Sequence, residues 1–186
     1  MVSAAPPVSV VGAGNWLFTH DRVGPRVLEK LAGRYGAEVE LCDAGSGGLN
    51  VLDFLRGQEL LVIVDACVDG GRVGEVRVIE PDLDVTPTSG SSVHQIGPIE
   101  ALIVARELYP EQLPQKSLLI LVETEGIDEA LMEAACDEVV ARLDQELARW
   151  RTDARAGSSA GGLPPAGLGD HFVPEGPADG GFDGSQ

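Results

Sequence analysis

The chain has 186 residues, 44% apolar and only 4% aromatic, enough for one ordinary domain whose core must be filled by aliphatic side chains. Thirty acidic residues against 13 basic ones give a formal charge of -17, which argues against nucleic acid and anionic membrane surfaces as partners. Cys42, Cys67 and Cys136 contain no CxxC pair, which argues against a disulfide framework or a structural zinc site and fits a reducing, cytoplasmic compartment.

The segment before Val8 lacks the basic start of a signal peptide, and no apolar run reaches the ~18 residues of a membrane helix. Val8–Val11 reads as a short buried strand that breaks at Gly12-Ala13-Gly14-Asn15. Arg22–Tyr35 has helical spacing, with Val23, Val27, Leu28 and Leu31 on one face. Ala37–Cys42 alternates as a second strand. Leu49–Leu55 reads as a short helix closed by Gly57. Leu60–Val64 is continuously apolar, as expected of a central strand covered on both faces. Gly74–Glu80 follows the turn signal Asp69-Gly70-Gly71 and reads as a strand antiparallel to the one before it, near an edge. Ile96–Leu108 is helical up to Pro110, Leu118–Val122 is another buried strand, and Asp128–Trp150 is a long helix.

This order predicts an α/β protein, a three-layer α/β/α fold with a twisted, mostly parallel five-stranded sheet, over residues 1–156. Residues 157–186 contain nine Gly and four Pro, with no Lys or Arg. Too little apolar surface is available there to offset ordering, so the sequence predicts a disordered acidic tail.

In such sheets ligands bind at the carboxyl ends of the strands. The polar residues expected there are Asn15, His20 and Asp21, the Asp43–Gly48 loop, Asp65 and Cys67, the Ser89–His94 loop, and Glu123 with Glu125. Asp21, Asp65 and His94 are thus predicted to converge. Two carboxylates and one imidazole suit Zn, Ni, Mn or Fe. Taken singly, Asp21 and Asp65 also suit helix or turn caps, and His94 a helix start. Gly12-Ala13-Gly14 invites a dinucleotide-binding reading, but Leu17 stands where the third glycine is needed. No G-x-S-x-G elbow follows a strand, and the cysteines read as packing, with a site role open for Cys67 beside Asp65.

The order of these motifs resembles a known family. Val10-Val11-Gly12-Ala13-Gly14-Asn15-Trp16-Leu17-Phe18-Thr19-His20-Asp21-Arg22-Val23-Gly24, Asp43-Ala44-Gly45-Ser46-Gly47-Gly48-Leu49, Val62-Ile63-Val64-Asp65-Ala66 and Ser92-Val93-His94-Gln95-Ile96-Gly97 resemble the four signatures of the [NiFe]-hydrogenase maturation endopeptidases, the HybD-like peptidases. The resemblance spans residues 8 to about 148 and marks a divergent member. It implies a metal-dependent endopeptidase that removes a C-terminal peptide from the nickel-loaded hydrogenase large subunit. The implied catalytic and metal-contacting residues are Asp21, Asp65 and His94, with the nickel supplied by the substrate. His20 and Arg22 stand where the family carries an acid and a glycine. An alternative of another class is a non-catalytic chaperone or scaffold that binds the same large subunit without cutting it.

Overall fold

The computed structural model describes residues 6–84 and 97–159. Five strands, β1 (Val8–Ala13), β2 (Val39–Gly45), β3 (Leu60–Cys67), β4 (Val76–Ile79) and β5 (Lys116–Glu123), form one sheet in the order β2-β1-β3-β5-β4. All neighbours pair in parallel except β4, which runs antiparallel to β5 at the edge. The expected three-layer, mostly parallel five-stranded architecture is therefore what the chain adopts.

The layers follow from the side-chain alternation of β3. Leu60, Val62 and Val64 face one core, with α1 (Val23–Leu31) and α3 (Glu129–Ser159) over it. Leu61 and Ile63 face the other core, with α2 (Pro98–Leu108) and the 3-10 turns Gly48–Phe54 over it. Val23, Val27 and Leu31 recur at helical spacing and are wholly buried, so α1 needs only one face to dock. Cys42 and Cys136 are buried free thiols within these cores, as their reading as packing residues requires.

Strand ends shift by up to three residues, β2 for one spanning Val39–Gly45, and four larger differences from the sequence expectation stand out. The strand after Asp69-Gly70-Gly71 does not pair with β3; β5 is inserted between them, and Val76 and Ile79 register against Val122 and Leu119 of β5. The segment Gly48–Phe54 is 3-10 and not α-helical, because only Val51 of its apolar residues is fully buried while Leu49 remains exposed. Helix α1 stops at Leu31, short of Tyr35, where Gly33 takes a φ of 73°. Helix α3 continues past Trp150 to Ser159; the rest of the tail lies outside the described residues.

Helices α1 and α3 are also joined by a ladder of ion pairs. Arg26 bridges Glu129 and Glu133 at 2.6 and 3.2 Å, Lys30 bridges Glu133 and Asp137, and Arg34 meets Asp144 at 2.8 Å. Such half-exposed pairs are worth about 0–1 kcal/mol each, so the ladder orients α3 more than it stabilises it. No described helix is long and apolar enough to cross a membrane.

Candidate active site

From β1 the chain runs outward to β2, then returns past β1 to form β3. The carboxyl ends of β1 and β3 therefore flank the point where strand order reverses, the usual ligand crevice of a doubly wound sheet. A cleft of about 650 Å³ opens there, lined by Gly14, Asp21, Ser46, Asp65, Cys67 and the start of α2, Gly97–Glu100.

Asp21 ends the 3-10 turn Thr19–Asp21 that follows β1. The Asn15 N–H donates to the Asp21 carbonyl at 2.7 Å, folding the loop back on the strand end. Gly14, with φ of 133°, lets this happen: a Cβ there would sit 2.0 Å from the Asp21 carbonyl oxygen. Gly24 does the same for α1, since its Cβ would lie 2.1 Å from the carbonyl oxygen of Ala13. The glycines thus serve close backbone approach. The loop from Asn15 to Arg22 precedes α1, so no helix begins at Gly12-Ala13-Gly14 as a dinucleotide fingerprint requires. A Gly14→Ala variant is expected to lose about 1–3 kcal/mol, the range for forced overpacking, and to displace Asp21. Thermal melts check this; an unchanged melting temperature would contradict the geometry.

Asp65 continues the Leu61, Ile63 face of β3 beyond the last apolar residue, which points it into the cleft under α2. Its Oδ1 accepts the Ala66 N–H at 2.8 Å. Burial pushes its pKa up to about 6, and the charge of Asp21 adds to the rise while the Ala66 N–H opposes it. Burial also raises Asp21, against the pull of His20 and the Asn15 amide. The two carboxylates thus feel each other across one partly desolvated cleft. No Lys, Arg or His is among the described residues that line it.

Neither departure beside Asp21 enters this cleft wall. Arg22 turns to α3, where Nη2 lies 3.2 Å from Glu129 and 3.1 Å from the Thr19 hydroxyl. His20 is exposed, its ring centroid 6.0 Å from that of Phe18. His94, and the whole Ser92–Ile96 stretch of the fourth motif, lies outside the described residues. Gly97, the last residue of that motif, lines the cleft.

A second cluster adjoins the cleft; Cys67 and Glu123 were expected at the strand ends, but not their meeting with Asp69. Donor atoms of Cys67, Asp69 and Glu123 lie within 4.8 Å of one another. Glu123 is completely buried. Its Oε2 accepts the N–H groups of Asp69 and Gly71 at 3.0 and 3.1 Å, and its Oε1 that of Glu125 at 3.2 Å. Arg77 donates to Cys67 Sγ at 3.1 Å and to the Asp69 carboxylate. The Arg77 guanidinium already meets Cys67 and Asp69, and Glu123 accepts three backbone amides, so the cluster holds together as a lock between strand ends without an ion. Burial raises the Cys67 thiol despite Arg77, which keeps it protonated and unreactive. The signal for the cluster was the register: Cys67 and Glu123 are direct partners in the β3–β5 ladder.

The family model HycI, hydrogenase maturation protease, matches residues 25–149. Hydrogenase 2 maturation protease of Escherichia coli is 30% identical over 149 residues, covering 73% of this chain and 90% of that protein. Hydrogenase expression/formation protein HoxM of Cupriavidus necator is 31% identical over 154 residues, covering 77% and 75%. Among solved structures, the E. coli hydrogenase maturating endopeptidase HybD aligns with a TM-score of 0.56 at 26% identity, over 75% of this chain and 93% of that one. The family model spans more than half of the sequence, and the fold is the one the motifs imply: the chain belongs to the hydrogenase maturation protease family.

Proposed function

We propose that the protein is an endopeptidase that removes a C-terminal peptide from the nickel-loaded large subunit of a [NiFe]-hydrogenase during maturation. The observation that carries this reading is the convergence of Asp21 and Asp65 in one cleft at the switch point of the sheet. Asp21, Asp65 and His94 are assigned the catalytic and metal-contacting roles. Oxygen and imidazole donors match a divalent ion such as nickel. Burial is the main reason Asp65 is raised, and a cation between Asp21 and Asp65 would offset both that burial and the smaller repulsion by Asp21. His94 is assigned to the same site because Gly97, only three residues on, lines the cleft; three residues reach at most about 10 Å.

The nickel belongs to the substrate. When bound, it would supply Lewis acidity toward a carbonyl. The part of this chain is to hold that end of the large subunit: Asp21 and Asp65 as carboxylates and His94 as neutral imidazole. Protonation of any of the three removes a donor pair, so processing is expected to fall on acidification.

The test mixes the protein with nickel-loaded and nickel-free large subunit and reads the mass of each. Loss of a C-terminal peptide from the loaded form alone is the expected result. A stable complex without mass loss would make the protein a scaffold, and equal cutting of both forms would end the metal-recognition reading. His94→Ala is expected to abolish processing while the circular dichroism spectrum stays that of the wild type.

A further inference from the structure

Five large apolar side chains are exposed on segments that contribute residues to the cleft wall: Trp16 at 45%, Leu17 at 85%, Phe18 at 53%, Leu49 at 42% and Val68 at 60%. They come from three segments that follow β1, β2 and β3, and so share the carboxyl end of the sheet. Trp16–Phe18 lies between the cleft residues Gly14 and Asp21, Leu49 is next to Gly48 of the cleft wall, and Val68 is in the wall itself. Exposed apolar residues on three segments at the same end of the sheet, on a chain otherwise rich in acids, mark a surface that is covered in use.

The backbone beneath them is fixed. Asn15 Oδ1 accepts the Leu17 N–H at 2.9 Å, the Asn15 carbonyl accepts the Phe18 N–H at 3.2 Å, and the Phe18 carbonyl accepts the Asp21 N–H at 3.0 Å. The side chains project from a pre-formed turn, so little further order is lost when a partner binds. We propose that Trp16, Leu17, Phe18, Leu49 and Val68 form a docking rim that grips apolar side chains of the substrate polypeptide on either side of its cationic centre. The occupant follows from charge as well as shape. The described cleft wall holds Asp21, Asp65 and Glu100 and no basic side chain, so it selects a segment with positive charge in its middle and apolar flanks. A second copy of this chain, at -17, is the wrong partner for such a wall. The proposal deepens the endopeptidase reading and rests on it for the identity of the substrate.

The test is a titration of fluorescently labelled, nickel-loaded large subunit with the wild type, with a Leu17→Ser/Phe18→Ser double variant, and with Tyr109→Ser. Tyr109 is also exposed, at 45%, but lies beyond the far end of α2. Circular dichroism first establishes that each variant is folded. The rim variant is expected to bind about 10-fold or more weaker, the scale of losing one or two interface anchors, with KM raised and kcat at saturation retained. Tyr109→Ser is expected to bind as the wild type does. Wild-type affinity in the rim variant, or an equal loss in Tyr109→Ser, would overturn the proposal, and so would failure of the wild type to bind the subunit at all. Rim-dependent binding without release of a peptide would instead leave the rim standing and overturn the endopeptidase reading.

Discussion

An Asp65→Asn variant is expected to lose processing and to become more stable at the same time. The loss follows from the site: asparagine keeps the shape but not the charge that faces a cation, and removing one such electrostatic contact costs about 10²-fold or more in rate. The gain follows from linkage. The folded-state pKa of Asp65 is pushed up to about 6 from 3.8, so the folded protein favours the protonated acid more than the unfolded chain does. That contribution to stability is complete below about pH 4 and is lost as pH rises through about 6. Above pH 6 the folded protein holds a half-buried carboxylate at a cost of about 3 kcal/mol, since each tenfold change in an acid constant is worth about 1.4 kcal/mol. Asparagine has nothing to ionise and avoids that cost. The two proteins should therefore melt alike near pH 4, and the variant should melt several degrees higher near pH 7.5. Comparing them isolates Asp65 from groups of opposite sign, such as Glu38 and Asp69, whose pKa values are lowered by Arg151 and Arg77. A variant less stable than the wild type at pH 7.5 would show that Asp65 is held by favourable contacts and not by enforced burial.

The two carboxylates of the cleft were legible in the sequence because each depends on one strand end. Leu60–Val64 can only be a central strand, and the residue that follows such a run must emerge at the carboxyl edge. Asp21 needed one further inference, that the glycines after β1 fold a loop back over the strand. Cys67, Asp69, Arg77 and Glu123 were different. Their meeting requires β5 to lie between β3 and β4, and local periodicity reports which face a residue occupies but not which strand is its neighbour. The tight turn signal at Asp69-Gly70-Gly71 favoured a hairpin between consecutive strands. What overrides it is edge pairing that no local pattern encodes: β5 pairs in parallel with β3 over Lys116–Glu123 and takes Val76–Ile79 in antiparallel on its other edge. The 3-10 character of Gly48–Phe54 was illegible for a related reason. Its apolar spacing suits an α-helix, yet the Asn50 amide binds back to the Ala44 carbonyl at 2.7 Å, tying the segment to the end of β2 before a helical face can form.

Glu123→Ala is expected to be the most destabilising single change outside the apolar core. The carboxylate is completely buried, and its three backbone partners are the Asp69, Gly71 and Glu125 amides. Truncation leaves those donors unpaired and opens a cavity. Each unsatisfied buried group costs about 1–3 kcal/mol, and partial entry of water limits the sum to about 3–5 kcal/mol, against about 1 kcal/mol or less for a rung of the α1–α3 ladder such as Lys30→Ala. For a domain of this size the loss corresponds to a fall in melting temperature of about 6–20 °C. Glu123→Gln keeps the volume and one acceptor oxygen but turns an NH2 group toward donors, so it should fall between the wild type and the alanine variant. Hydrogen exchange separates this lock from a general loss of stability: the amides of Asp69 and Gly71 should lose protection in Glu123→Gln before those of β1 and β3 do. The same loop carries Val68 at the cleft mouth, so release of the lock should raise KM for the large subunit more than it lowers kcat. Stability within about 1 kcal/mol of the wild type in Glu123→Ala, less than one unsatisfied amide should cost, would mean that water satisfies the three amides and that the strand ends are held by the β3–β5 ladder alone.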